Sequence, residues 1–219
     1  MEYAEYIPFW KGLTAEQQDR IGQVITWHQV KKGQHIHSSG TECLGLVVVK
    51  SGQLRTYILS EDGREITLSR LFAYDVSLLS ASCVMPDLQL NVMMEAEKDT
   101  GFWSISACLF KNLMEESLAV ASYANSLICS NFSELMWLME QIMWRSMDKR
   151  LAAFLAEETA IEGSAQLRLT HETIANHLGT AREVVTRMLR YFQSEGMVRL
   201  TRGTIEVLDE KRLRTLGEA

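Results

Sequence analysis

The segment from Leu169 to Arg190 reads LTHETIANHLGTAREVVTRMLR. It predicts two short helices joined by a tight turn, because Gly179 tolerates a left-handed backbone and Ala175 is small enough for two helices to cross closely. Apolar residues recur at the spacing that buries one face of each helix. They are Ile174, Leu178, Val185, Met188 and Leu189. We therefore expect a helix–turn–helix over this segment.

The second helix of this motif is predicted to begin at Thr180, whose hydroxyl can cap it. Its other faces carry Arg182, Glu183, Thr186, Arg187 and Arg190. In a DNA major groove, arginine pairs with guanine and a carboxylate accepts from cytosine, so the pattern favours a recognition helix. Two alternatives stay open. Thr180 and Glu183 also have the spacing of a capping box, and a helix–turn–helix can serve purely for protein interaction.

The chain after this motif reads VRLTRGTIEVL and predicts a two-stranded wing that turns at Arg202-Gly203. Within 168–202 there are six arginines against three glutamates, so this stretch is locally basic although the whole chain has net charge −6. Polar residues here can contact phosphate. The candidates are Thr170, His171, Thr180, Arg190 and Arg202.

The residues from Thr26 to about Leu109 form short β-type runs separated by turn signals. The clearest is Glu61-Asp62-Gly63, which predicts a hairpin because glycine accepts the positive φ that such turns need. Strands at this spacing favour a sandwich or small barrel. A short helix is expected before them, over 13–27, with Thr14 as its cap.

The segment from Leu118 to Trp144 has no glycine or proline and predicts one long helix. Reading it every 3.5 residues gives a mostly apolar seam, which is typical of a short coiled coil and would make the chain a homodimer. Packing on the helix's own domain is the alternative. The seam residues are Ala121, Ala124, Ile128, Asn131, Leu135, Leu138 and Ile142.

Composition narrows the function classes. The chain has 219 residues, 47% of them hydrophobic and 23% charged, which fits a globular protein of one or two domains. The longest uncharged run, 117–133, contains five serines and two asparagines, so no membrane span is expected. The N-terminus lacks a secretory pattern, which favours the cytoplasm. The four cysteines are scattered and do not have the spacing of a zinc or iron–sulfur site. No catalytic motif is visible in the sequence, so we do not expect an enzyme.

The order of β unit, long helix and winged helix–turn–helix resembles the CRP/FNR superfamily of bacterial transcription regulators over nearly the whole chain. The family's recognition helix carries R-E-x-x-x-R, which Arg182, Glu183 and Arg187 match. The resemblance implies an α+β protein with a β-roll or jelly-roll sensor domain over 1–116, a dimerisation helix over 117–146 and a winged helix–turn–helix over 147–219. It also implies a palindromic operator with a G·C-bearing, TGTGA-like half-site, and contact with RNA polymerase. The two recognition helices of a dimer would lie roughly 34 Å apart, about one DNA turn.

The sensor half departs from the pattern of family members that bind cyclic AMP. Leu79 stands where a ribose-binding acid is expected, and Leu90 where a phosphate-binding arginine is expected. We therefore expect no cyclic AMP, and the first cysteine, Cys43, lies too late for the family's iron–sulfur cluster. Heme stays open, with His28, His35, His37 or Cys83 as ligands.

We therefore expect the sensor half to contain a pocket for a small, largely apolar effector. Two alternatives stay open: Cys83 could sense redox chemistry, or the region could be a filled apolar core that binds no ligand. The expected pocket residues are Leu78, Leu79, Cys83, Leu90, Val92, Asn125 and Asn131.

A competing class is a metal-dependent, cupin-like enzyme. His35 and His37 would share one face of a strand, and Glu42 follows four residues beyond the second histidine. The glycines that the cupin motif requires are absent, because Gly33 is too close to His35 and position 49 is valine.

Overall fold

The computed structural model describes residues 2–36, 44–78 and 92–218. The chain forms two compact units. One unit consists of Met1–Leu59 and Leu68–Leu135, and the other of Ser60–Thr67 and Met136–Ala219. Helices and strands are both present in the order expected of the α+β fold. The three predicted domain ranges, 1–116, 117–146 and 147–219, stay a prediction.

The first unit begins with two short 3₁₀ turns and then a capped helix, α1. The turns are Glu2–Glu5 and Trp10–Gly12, and α1 is Ala15–Val24. The hydroxyl of Thr14 accepts a hydrogen bond from the Gln17 N–H, and the Gln17 side chain accepts one from the Thr14 N–H. This capping box satisfies two backbone donors at the helix start and confirms Thr14 as the predicted cap.

Two antiparallel sheets follow, as the short β-type runs predict. Their strands are β1 (Thr26–Val30), β2 (His35–Ile36), β3 (Leu46–Ser51), β4 (Leu54–Leu59), β5 (Glu65–Leu71), β6 (Val76–Leu78), β7 (Val92–Ala96) and β8 (Thr100–Ile105). In the described residues one sheet has the order β1-β8-β3-β6 and the other β2-β7-β4-β5. The β4–β5 turn contains Gly63 at φ +79°, which confirms the predicted hairpin.

Two helices complete this part of the chain. They are α2 (Ala107–Glu116) and α3 (Leu118–Trp144), and α3 is the predicted long helix. Val120 and Ala124 of α3 are fully buried in a core that also contains Leu46, Ile105 and Phe110. The first half of α3 is thereby fixed to its own unit by apolar packing.

The second unit contains the helix–turn–helix. Its elements are α4 (Met147–Glu162), β9 (Gln166–Leu167), α5 (His171–Leu178), α6 (Arg182–Ser194), β10 (Val198–Thr201), β11 (Thr204–Val207) and α7 (Glu210–Glu218). The apolar residues predicted to be buried lie in its core, with Met188 at the margin. Strands β10 and β11 pair antiparallel on either side of Arg202-Gly203, which confirms the predicted two-stranded wing, and β9 adds a third strand to its sheet. Strand β9 was missed because two residues are too short to show alternation.

No helix among the described residues combines the length and the hydropathy needed to cross a bilayer.

Candidate DNA interface and ligand cavity

Helix α6 has one buried face and one charged face. Val185, Leu189 and Phe192 are fully buried, which anchors the helix to its unit. On the other side, Arg182, Glu183, Arg187 and Arg190 are exposed, and in the described ranges none of these four forms an ion pair. Their charges therefore face solvent without an internal counter-ion, as a polyanion-binding surface requires.

The start of α6 differs from the prediction. The N-cap residue is Ala181, and no side chain caps the helix. Thr180 instead ends the preceding turn, because its N–H donates to the Ala175 carbonyl at 3.0 Å while Gly179 adopts φ +63°. Thr180 as N-cap is thus wrong, and the alternative capping box with Glu183 is not formed. Glu183 is left exposed rather than tied back to the helix start.

His171 is linked to α6 by a hydrogen bond that fixes its protonation pattern. The hydroxyl of Thr186 donates to the Arg182 carbonyl at 2.9 Å, so it accepts from the Nδ1–H of His171 at 2.8 Å. The neutral imidazole therefore has Nε2 as an acceptor. The pKa of His171 is lowered by burial first, and further by the positive charges of Arg182 and Arg190. A phosphate beside Nε2 would oppose both effects by favouring the imidazolium.

The other predicted phosphate contacts lie at exposed ends of elements. The Thr170 hydroxyl caps α5 by accepting from the Thr173 N–H at 3.0 Å. Arg202 is exposed at the tip of the wing, where Gly203 turns the chain at φ +76°. Across the wing, Arg199 pairs with Glu206 at 2.9 Å, so this arginine already has a carboxylate partner and Arg202 is the better phosphate ligand.

The first unit contains a cavity of about 610 Å³ bordered by strands β4 to β7 and helix α3. Its apolar wall includes Leu71, Val76, Leu127 and Ile128. A pair of hydroxyls also lines it, since Thr56 Oγ1 and Ser69 Oγ lie 2.8 Å apart. A cavity of this size and composition suits a small organic ligand.

Three of the predicted pocket residues, Leu78, Val92 and Asn131, line this cavity. Asn125 does not line it and is exposed on α3. The predicted pocket residues Leu79, Cys83 and Leu90 lie outside the described residues, as do His37 and Glu42. Nothing tests the pocket residues as ligand contacts, so that role stays a prediction.

Sequence reasoning missed Asp75, Tyr123 and Glu134, which also border the cavity. Asp75 directly precedes β6, and its carboxylate accepts from the Phe72 N–H at 2.7 Å. The sequence signal that could have identified Asp75 is a charged residue directly before a buried apolar strand.

Two of the histidines considered as heme ligands are engaged elsewhere. His28 Nε2 lies 2.8 Å from Ser104 Oγ, and its ring stacks on Phe102. His35 Nδ1 lies 3.1 Å from the Tyr57 hydroxyl. Neither histidine borders the cavity. In the parts of the chain that are described, no three histidine, cysteine or acidic side chains gather as metal ligands, and two of the three candidate ligands of the cupin-like alternative, His37 and Glu42, lie outside those parts.

Helix α3 presents an exposed stripe, which we call the α3 stripe. It consists of positions three and four residues apart, namely Leu118, Ser122, Asn125, Cys129, Phe132, Met136, Met139 and Met143. Five of these side chains are large and apolar, and Phe132 and Met143 are each 63% exposed. Isolated exposed apolar residues are ordinary, but the four at heptad spacing from Phe132 to Met143 are typical of a contact with another helix.

The α3 stripe lies one residue after each position of the predicted seam. Ala124 of that seam is fully buried within its own unit. Ile128, Asn131 and Leu135 border the cavity. Helix α3 therefore has two apolar faces, and periodicity alone does not tell which face packs inside the chain, so the seam as a dimer contact stays a prediction.

Comparisons with known proteins agree with this architecture. The Crp-like helix–turn–helix domain family matches residues 149–216, and the cyclic nucleotide-binding domain family matches residues 27–117. A crystal structure from Eubacterium rectale ATCC 33656, described as a transcriptional regulator of the CRP/FNR family, is 57% identical. It covers 98% of this chain, and this chain covers all of it, with a TM-score of 0.94.

The chain belongs to the CRP/FNR family of transcription regulators. Among curated members, Electron transport regulator A of Shewanella oneidensis is 24% identical, over 96% of this chain and 86% of the relative. The Cyclic AMP receptor protein of Thermus thermophilus is 23% identical, over 96% of both chains. This CRP/FNR protein therefore has the family's helix–turn–helix DNA-binding domain and cyclic nucleotide-binding-like domain.

Proposed function

We propose that this CRP/FNR protein binds a palindromic DNA operator as a homodimer and responds to a small effector in the cavity of its first unit. The observation that carries the proposal is the charged face of α6, where three arginines and Glu183 are exposed without ion pairs. Such a face, backed by buried Val185 and Leu189, matches a helix that enters the major groove.

The polar residues of the DNA-binding unit divide into two groups in this proposal, those that read bases and those that contact phosphates. Arg182 and Arg187 read guanine, and Glu183 accepts from the amino group of cytosine. Thr170, His171, Thr180, Arg190 and Arg202 contact phosphates, which sets the register of the protein on DNA without selecting a sequence. The half-site therefore contains G·C pairs, in a TGTGA-like core.

Dimerisation through the α3 stripe accounts for the two-fold operator. A self-complementary row on one helix pairs with its own copy about a two-fold axis. The DNA-binding unit of each chain would then meet one of two half-sites about one helical turn apart. The cavity is bordered by α3 residues beside the stripe and by Phe132 of the stripe itself, so a ligand bound there can bias the helix pairing. Contact with RNA polymerase, expected of the family, belongs to the same proposal.

The test is selection from a random duplex pool with the purified full chain, performed at two salt concentrations and with and without cell-extract metabolites. We expect a two-fold palindrome with G·C pairs in each half, and an affinity that falls steeply with salt because phosphate contacts release counterions. An Arg182→Ala protein serves as the control and is expected to enrich a less defined motif. Enriched sequences without two-fold symmetry under both conditions would contradict the proposal.

A further inference from the structure

The charged side chains at the cavity carry more unpaired negative charge than unpaired positive charge. Among the described residues bordering it, the charged ones are Arg70, Asp75 and Glu134. Arg70 has a partner, because its Nε lies 3.2 Å from Glu97 Oε2 and the two side chains are only 9% and 18% exposed. The positive charge is thus compensated inside the protein. In the described ranges Asp75 and Glu134 form no ion pair, so the cavity keeps an excess of negative charge.

The chain segments near β6 and β2 do not reverse this balance. The segment 79–91, which joins β6 to β7, reads LSASCVMPDLQLN and contains one aspartate and no lysine, arginine or histidine. The segment 37–43, which reads HSSGTEC, adds His37 and Glu42. Neither sequence supplies a lysine or arginine for an anionic ligand. A phosphate-bearing effector would meet uncompensated carboxylates and no free guanidinium.

Aromatic rings border the same cavity as these carboxylates. They are Tyr74, Tyr123 and Phe132, and the Tyr74 ring has one face stacked on Tyr6, with 4.7 Å between the ring centroids. The pKa of the Tyr123 phenol is raised by burial first and also by the negative charge of Asp75. Asp75 is held in place by the hydrogen bond that it accepts from the Phe72 N–H. Aromatic faces combined with a fixed carboxylate are the groups that bind ammonium ions in proteins.

We propose that the effector of this CRP/FNR protein is a small organic cation, an amine with an apolar body. Its ammonium group would lie between the Asp75 carboxylate and the rings of Tyr74 and Tyr123, with Glu134 adding attraction at the rim. The apolar body would contact Leu71, Val76, Leu127 and Ile128. This inference rests on the proposed function in that it takes the cavity as the effector site.

The test compares three probes of one shape and different charge by isothermal titration calorimetry on the full chain. The probes are 4-phenylbutylamine, 4-phenylbutan-1-ol and 4-phenylbutanoate. We expect the amine to bind at least about tenfold more tightly than the alcohol, and the carboxylate more weakly than either. An anion that binds as tightly as the amine, equal binding of all three, or binding of none would each overturn the proposal.

Substitutions test whether the preference for amine over alcohol arises from the carboxylates at the cavity. Asp75→Asn keeps an oxygen for the Phe72 N–H but removes the charge, so we expect it to abolish the preference for amine over alcohol. Asp19→Asn, at an exposed carboxylate of α1 in the same unit, should leave the preference unchanged. If Asp75→Asn does not fold, Glu134→Gln on exposed α3 should still reduce the preference. An unchanged preference in the variants that fold contradicts the proposal.

The calorimetry contains no DNA, and the duplex selection is read in its arm without cell-extract metabolites, which contains no amine effector. A palindrome recovered by a protein without amine preference would therefore refute the effector class and leave the DNA-binding proposal intact.

Discussion

Helix α6 and the cavity both contain arginine and carboxylate side chains, but they differ in what those side chains already contact. On α6, Arg182, Arg187 and Arg190 are exposed and form no ion pair within the described ranges. At the cavity, Arg70 lies against Glu97. An arginine without an internal partner is available to an external anion, whereas a paired one would first have to leave its carboxylate. The difference favours DNA binding at α6 and, in our proposal, a cation rather than an anion at the cavity.

The largest expected effect concerns the α3 stripe, on which the DNA-binding role depends. Met136→Glu combined with Met139→Glu places charges in the exposed row without disturbing a buried side chain. We expect a monomer by sedimentation velocity, and an operator affinity lower by about a hundredfold or more, because the second half-site no longer adds to binding. Glu140→Gln, an exposed position beside the stripe, is the control. A double variant that stays dimeric would show that the dimer contact lies elsewhere.

The register of the stripe has its own test in Cys129, which is exposed. If the stripe forms the dimer contact, the two Cys129 thiols of a dimer face each other, and mild oxidation with copper–phenanthroline should yield a disulfide-linked dimer on a non-reducing gel. A protein with Cys129→Ser and Ile128→Cys moves the thiol to the predicted seam and should cross-link far less. Stronger cross-linking by the second protein would restore the seam that includes Ala124.

Within the DNA-binding unit, substitutions at base contacts and at phosphate contacts should change the affinity for DNA in different ways. Arg182→Ala is expected to cost about 1–3 kcal/mol and to relax discrimination at one base position, since a bidentate contact to guanine is lost. Arg202→Ala should weaken binding to all sequences alike. Fluorescence anisotropy on the operator and on its single-base variants distinguishes the two. Uniform losses for both substitutions would remove Arg182 from base reading.

The smallest expected effect is a pH dependence through His171. Its pKa is lowered in the free protein by burial, then by Arg182 and Arg190. A nearby phosphate raises that pKa, so the complex binds more protons than the free protein, and operator affinity should rise as pH falls from 8 to 6. We expect a gain of about two- to fivefold. His171→Gln should remove the dependence, while His28→Gln in the other unit should keep it. An unchanged slope in His171→Gln would exclude the phosphate contact.

The DNA-binding unit was predictable because its signals are local. Gly179 marks the turn, and Ile174, Val185 and Leu189 give the buried faces within one short segment. The error at Thr180 was equally local. A threonine that follows the glycine at a helix C-terminus can end that helix or begin the next one. Thr180 ends the first helix, because its N–H donates to the Ala175 carbonyl.

The first unit was predictable only in outline. Its strand-rich character and hairpin follow from alternation and from Gly63, but the cavity joins residues that are far apart in sequence, such as Thr56, Asp75 and Tyr123. Their meeting depends on sheet order and on the face of α3 that packs inward. Periodicity could not supply that face, which is why the predicted seam includes Ala124, a residue that is fully buried within its own unit.

The central claim, that two copies of α6 read two half-sites on one face of DNA, is tested most directly by changing the half-site spacing. Affinity is measured for duplexes in which the selected half-sites are kept and the centre is lengthened one base pair at a time. We expect a single sharp maximum near one helical turn, about 10–11 base pairs centre to centre, and a loss of about tenfold or more when half a turn is added. Affinity that does not depend on spacing would contradict it.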